Sequence, residues 1–165
     1  MPWKILVPLA LPVIIVSSFV LLYLRKPHAK QGTIVLADFS NTTTDPAFAS
    51  WLKTALAADL AQPGFPRILS AAEVSRALGL SAPLEAQSLN EFAARDVCRR
   101  TGSKAVVAGS IAESGGEFVV DLTATGCSSS NVVAEARART TEKDRVPDAL
   151  QGAASQLSAK LVELR

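Results

Sequence analysis

The chain has 165 residues, a formal net charge of +2 and a mean hydropathy of +0.25, with 48% hydrophobic and 19% charged residues. That length suits about one domain, and the hydropathy is high for a wholly soluble one. The charge does not mark a nucleic-acid-binding protein: four of the 17 basic residues (Lys4, Arg25, Lys26, Lys30) flank one apolar run, and the remainder is slightly acidic.

That run, Ile5–Leu24, contains no charged residue. As a helix it matches the ~30 Å hydrocarbon core of a bilayer. Trp3 and Tyr23 stand at its ends, where aromatic residues favour the headgroup layer, and Pro8 and Pro12 are tolerated near the start of a spanning helix. A cleaved secretory signal has a shorter apolar core of about 7–15 residues and a small residue before the cut. "RKPHAK" supplies no such site. Residues 1–26 therefore read as an uncleaved transmembrane anchor, 27–32 as a linker and 33–165 as the globular domain. Counting flanking cations alone turns the domain toward the cytoplasm.

"TIVLADF" (33–39) is apolar and β-branched, as a buried strand is. Asp45-Pro46 is a helix start, with Asp as N-cap and Pro at the first helical position. Phe48, Leu52, Leu56 and Leu60 then recur at helical spacing to about Gln62. "RIL" (67–69) is a short strand. Ser70 with Glu73 forms a capping box for a helix through Leu80. Ser88 with Glu91 suggests another, opening a helix from Leu89 to Thr101 that stops at Gly102. "SKAVVAGSIAE" (103–113), a Gly115-Gly116 turn and "EFVVDLTAT" (117–125) form a hairpin. "VVAEARART" (132–140) alternates as a third antiparallel strand. Val146, Leu150, Ala153, Leu157 and Leu161 stripe a terminal helix. The order β-α-β-α-α-β-β-β-α implies an α+β mixed-sheet sandwich.

Catalytic chemistry is sparse. The single histidine, His28, lies in the linker, where it cannot be held within reach of a nucleophile. One His and two Cys are too few for a Cys/His zinc site, and no phosphate-binding glycine motif occurs. No cofactor or metal is expected. Asp38 and Asp45 could pair for acid–base work, but no third polar group is placed to support them, and Asp45 is accounted for as a cap. Asn41-Thr42-Thr43 fits a glycosylation sequon in a host that glycosylates. Arg95, Arg99, Arg100 and Lys104 read as a solvated face or a basic patch.

The cysteines say more. If the hairpin turns at Gly115-Gly116, counting outward sets Cys127 opposite Lys104, close to the helix end bearing Cys98. A disulfide between them would belong to an oxidising compartment. The alternative is a buried Cys98 acting as a small hydrophobe beside a free Cys127.

"VLADFSNTTTDPAF" and "RRTGSKAVVAGSI", in this element order, resemble the TolB-like N-terminal domain. Phe39, Asn41, Asp45, Pro46, Gly102, Gly109 and Ser110 match its pattern, and the resemblance covers about residues 33–163. It is nearest the version that follows the membrane helix of bacterial Ser/Thr kinase receptors. Related folds occur in lipoproteins regulating cell-wall synthesis and in the curli secretion channel. The resemblance implies an extracytoplasmic, non-enzymatic interaction module in the cell envelope. The chain would be held in the inner membrane with its domain in the periplasm, binding another envelope protein or a second copy of itself. An envelope sensor for a small ligand is the other expectation. The kinase, tetratricopeptide repeats and β-propeller that accompany such domains elsewhere do not occur in this sequence.

Overall fold

The computed structural model describes residues 32–62, 65–80 and 89–163. The anchor expected over Ile5–Leu24, His28 and Ser88 lie outside the described residues. Among the described residues no helix is long and apolar enough to cross a membrane. The elements are β1 (Thr33–Asn41), α1 (Ala47–Leu60), β2 (Arg67–Ile68), α2 (Ala71–Ala77), α3 (Glu91–Thr101), β3 (Ala105–Ser114), β4 (Glu117–Gly126), β5 (Val132–Thr140) and α4 (Val146–Glu163). They form one mixed sheet in the order β2-β1-β3-β4-β5. β1 runs parallel to β2 and β3, while β3, β4 and β5 are antiparallel.

One face of the sheet carries the larger core. Phe48, Leu52, Leu56 and Leu60 of α1 and Val146, Leu150, Ala153, Leu157 and Leu161 of α4 pack on Ile34, Leu36, Phe39, Val107, Val120, Leu122 and Ala136. Each large aliphatic side chain buried there contributes about 1.5–3 kcal/mol. The other face is covered over only part of its width. There Val74, Leu89, Ala94, Val97 and Cys98 meet Val35, Ala37, Val106 and Cys127.

β1 reaches both cores through a bulge. Leu36 pairs with Val107 but Phe39 pairs with Gly109, so β1 spends one extra residue across this interval. The bulge reverses the alternation of faces. Ile34, Leu36 and Phe39 therefore all enter the first core, while Val35 and Ala37 enter the second. Phe39 lies across Gly109, where an added Cβ would stand 2.2 Å from the ring.

Helix boundaries differ from the sequence reading in three places, the first being α1, which starts at Ala47 with Pro46 in the cap position. α3 is capped by Asn90, whose side chain accepts from Ala93 N–H at 2.9 Å, and it begins at Glu91, not Leu89. Leu89 is held outside the helix because it is buried and its carbonyl accepts the Asp38 N–H at 2.9 Å. α2 ends at Ala77, short of Leu80. Gly79 at φ +72 and a bond from Leu80 N–H to the Ser75 carbonyl close it in a left-handed stop. The Ser70–Glu73 capping box and the Ser114↔Glu117 hairpin register are as read.

Gly109→Ala is expected to destabilise the domain by about 1–3 kcal/mol, the usual cost of overpacking a filled core. Urea denaturation checks this, and pairing the change with Phe39→Leu should recover part of the loss.

Candidate functional site

The loop after β1 is knit together by its own polar groups. Asn41 Nδ2 donates to the Asp45 carbonyl at 2.7 Å, and Asn41 Oδ1 accepts from the Thr43 N–H and hydroxyl at 2.9 and 2.8 Å. The Asp45 carboxylate accepts from Ala47 N–H at 3.0 Å, although the cap position of α1 falls at Pro46, one residue later than the sequence reading, and carries no side-chain cap bond. The second Asp45 oxygen binds Lys143 Nζ at 2.9 Å, and that ammonium also lies 5.4 Å from the Phe48 ring centre. The hydrogen bond from Lys143, followed by that from Ala47 N–H, holds the Asp45 carboxyl below its ordinary value, and Lys143 is raised in turn.

Asp38 has a different partner. It sits in the bulge and is ion-paired with Lys53 of α1. The two carboxylates proposed for acid–base work are thus each matched to a separate lysine and do not form a shared dyad. Among the described residues there is no group of three or more His, Cys, Asp or Glu side chains able to hold a metal ion.

The basic side chains of α3 are also matched. Arg95 pairs with Glu91, and Arg100 and Arg99 pair with Asp96 at 2.8 and 3.7 Å. Three arginines thus share two carboxylates on a solvated helix face, in pairs of a kind worth about 0.3–0.5 kcal/mol each. Lys104 takes no part in it: its backbone N–H donates to the Thr33 carbonyl at 2.8 Å and its aliphatic stem lies beside Gly32.

Cys98 and Cys127 are joined by a disulfide with a Cα–Cα separation of 5.5 Å. It ties the last turn of α3 to the end of β4. The hairpin register carries through to Ala105↔Gly126, and the Cys127 N–H donates to the Lys104 carbonyl at 3.4 Å. The motif residues Phe39 and Gly109 touch in the core, Asn41, Asp45 and Pro46 build the loop, and Ser110 lies half-buried on the open side of the sheet.

Two surface features escaped the sequence reading. Beyond the cover of α3, the sheet bounds a cleft of about 520 Å³ whose walls include Ser40, Asn90, Glu91, Ser110, Asp121 and Thr123. Next in sequence to two of these, Phe92 is 81% exposed. Its position was legible in one respect: it falls off the stripe formed by Ala94, Val97 and Cys98, among charged neighbours. A second, more apolar groove of about 610 Å³ runs between α1 and α2 past Leu36, Ile68, Leu69 and Leu89, with the Asp38–Lys53 pair in its wall.

No protein-family model matches the sequence, and no functionally curated protein is detectably similar to it. Solved structures are similar in fold. The C-terminal domain of LpoB from Escherichia coli superposes with a TM-score of 0.56 at 17% identity, covering 68% of this chain and 84% of that one. Lipoprotein GNA1162 from Neisseria meningitidis gives 0.52 at 16% identity, covering 67% and 81%. The PelC dodecamer from Paraburkholderia phytofirmans gives 0.52 at 14% identity, covering 81% and 90%. The globular part thus shares the α+β fold of these proteins.

Replacing both cysteines by Ala should cost about 3–4 kcal/mol, from the loop-closure entropy returned to the unfolded chain. Guanidinium melts of the double variant, and of the native protein with and without reductant, measure it. A second expectation concerns acid. Hydrogen bonds from Arg67, then from Ser70, lower the Glu73 carboxyl from 4.5 to about 2. Because the folded value is the lower one, its contribution to stability is complete above pH 4.5 and is lost as pH falls toward 2. Carboxyl resonances followed by NMR should give that midpoint, and Arg67→Ala should move it upward.

Proposed function

We propose that this chain is a TolB-like, single-pass membrane protein whose domain binds another envelope protein without catalysis. Ile5–Leu24 anchors it in the inner membrane, residues 27–32 form the linker, and the domain from residue 33 onward stands in the periplasm. The observation that carries this reading is Phe92, an aromatic side chain in the first turn of α3 that stands 81% exposed to solvent. Aromatic residues are enriched at interfaces because they bury a large area at little conformational cost. The Cys98–Cys127 bridge supports an oxidising compartment over the cytoplasmic side favoured by the flanking cations. The PelC neighbour is a dodecamer, which supports protein contact as a use of this fold.

The loop over residues 40–45 is the weaker docking surface, because its polar groups are already satisfied by one another. The apolar groove beside α2 favours a second reading, a sensor for a small ligand, which predicts a ligand-dependent rise in melting temperature.

A photo-crosslinking amino acid at position 92 of the full chain should trap a partner in intact cells, and Phe92→Asp should abolish its capture from membranes with an unchanged thermal melt. Capture that survives Phe92→Asp would remove this surface. Trapping the thiols with acid before alkylation should find Cys98 and Cys127 oxidised; reduced thiols would return the domain to the cytoplasm.

A further inference from the structure

We infer that the outer edge of β5 is a self-association surface, at which a second copy of this chain adds its own β5 antiparallel and extends the sheet. β5 is the last strand of the sheet, and β4 is its ladder partner. The opposite edge differs: β2 is only two residues long, and beyond it β1 is bonded to flanking segments, Leu69 N–H donating to the Ile34 carbonyl and Asp38 N–H to the Leu89 carbonyl. At β5, the Glu135 carbonyl accepts from Lys160 Nζ of α4. Since backbone direction alternates along a strand, the odd-numbered residues of β5 turn their N–H and C=O groups to this edge. An unpaired row of this kind is a template for another strand, and a lysine laid on it is a common way of shielding it.

The side chains fit a second copy of the same strand. Glu135, Arg137 and Arg139 are exposed on the open side of the sheet. In an antiparallel pair centred on Ala136, Glu135 faces Arg137 of the partner subunit and Arg137 faces Glu135 of the partner subunit. Arg137 is already bonded to Asp121 within its own chain. The pairing therefore gives a row alternating in sign, with no like charges directly opposed. Ala134, Ala136 and Ala138 occupy the helix-facing positions between them.

Gly152 supplies an independent sign. It sits within α4, exposed, and an added Cβ would meet no atom within 4 Å. Glycine at such a position costs about 0.5–1 kcal/mol relative to alanine, and among the described residues no atom approaches the place of the missing side chain. Gly152, Gln156 and Lys160 follow one another at helical i, i+4 spacing, so they share the flank that reaches the β5 edge. Extending the sheet across this edge brings two such flanks together, where a bare backbone allows close approach. Docking also exchanges the Lys160 bond for a ladder bond, so Lys160 governs how readily the edge opens.

The test uses two differently tagged full-length copies in membranes, one carrying Glu135→Cys and the other Arg137→Cys, with the native disulfide intact. Residues opposed in a hydrogen-bonded pair stand about 5.5 Å apart at Cα, within disulfide reach. Mild oxidation is expected to join the two tags, whereas Glu113→Cys in both copies gives no product. Adding Gly152→Gln should raise the melting temperature of the domain, because Gln favours helix over Gly, yet abolish the cross-link. No mixed-tag product, equal product at Glu113, or a cross-link indifferent to Gly152→Gln would each overturn the inference. The Phe92 surface lies elsewhere, so these outcomes are separate from the success or failure of the partner reading.

Discussion

The extra residue in β1 between Leu36 and Phe39 is the constraint on which the rest of the domain depends. Without it, Phe39 would turn away from α1 and Asp38 would point into the first core. With it, Phe39 drops onto Gly109 and adjoins the cluster that includes Phe48, whose ring centre is 6.0 Å from that of Phe118. The same shift brings Asp38 to Lys53 and aims its N–H at Leu89. That bond fixes where the chain returns to the sheet, and so where Asn90 caps α3. From there the length of α3 places Cys98 beside Cys127. A local backbone irregularity thus sets the spacing of a covalent link made some sixty residues further on.

Unequal cover of the sheet follows from the lengths of its elements. α1 and α4, with 14 and 18 residues, are long enough to span the first face. On the second face α2 and α3, with seven and 11, reach only the strands nearest them. Cross-strand pairs occupy the uncovered part: Arg137 with Asp121, and Arg139 with Glu117 at 3.6 Å. Exposed pairs of this kind add little stability. Their importance is to keep a wide sheet surface wet and charged.

Electrostatics also separate the two carboxylates that first suggested catalysis. Functional acid–base pairs need carboxyls close enough to push their titrations apart. Here Lys53 neutralises one, and Lys143, reached from far along the chain, neutralises the other. Asp45 is lowered by a cation and a backbone N–H, as a carboxylate tying the helix start to a distant segment is. The loop that looked chemically rich is a structural clasp between the start of α1 and the approach to α4.

Much of this architecture was set locally and could be read from residue order. The Leu and Val stripes of α1 and α4, the Ser70–Glu73 box, the Gly115-Gly116 turn and the alternation of β4 each depend on neighbours a few residues away. The hairpin register followed from its turn, and with it the approach of Cys127 to Cys98. What only the tertiary structure decided involves distant partners or competition between them. Asn90 replaced the expected cap because Leu89 was needed by β1 and by the second core, a demand invisible in "SLNE". The lysines that claim Asp38 and Asp45 lie 15 and 98 residues away. Nor could the sequence show which parts of the sheet α2 and α3 leave uncovered, since that depends on how helices of fixed length lie across it. Periodicity states which face of an element is apolar; packing alone determines what, if anything, covers it.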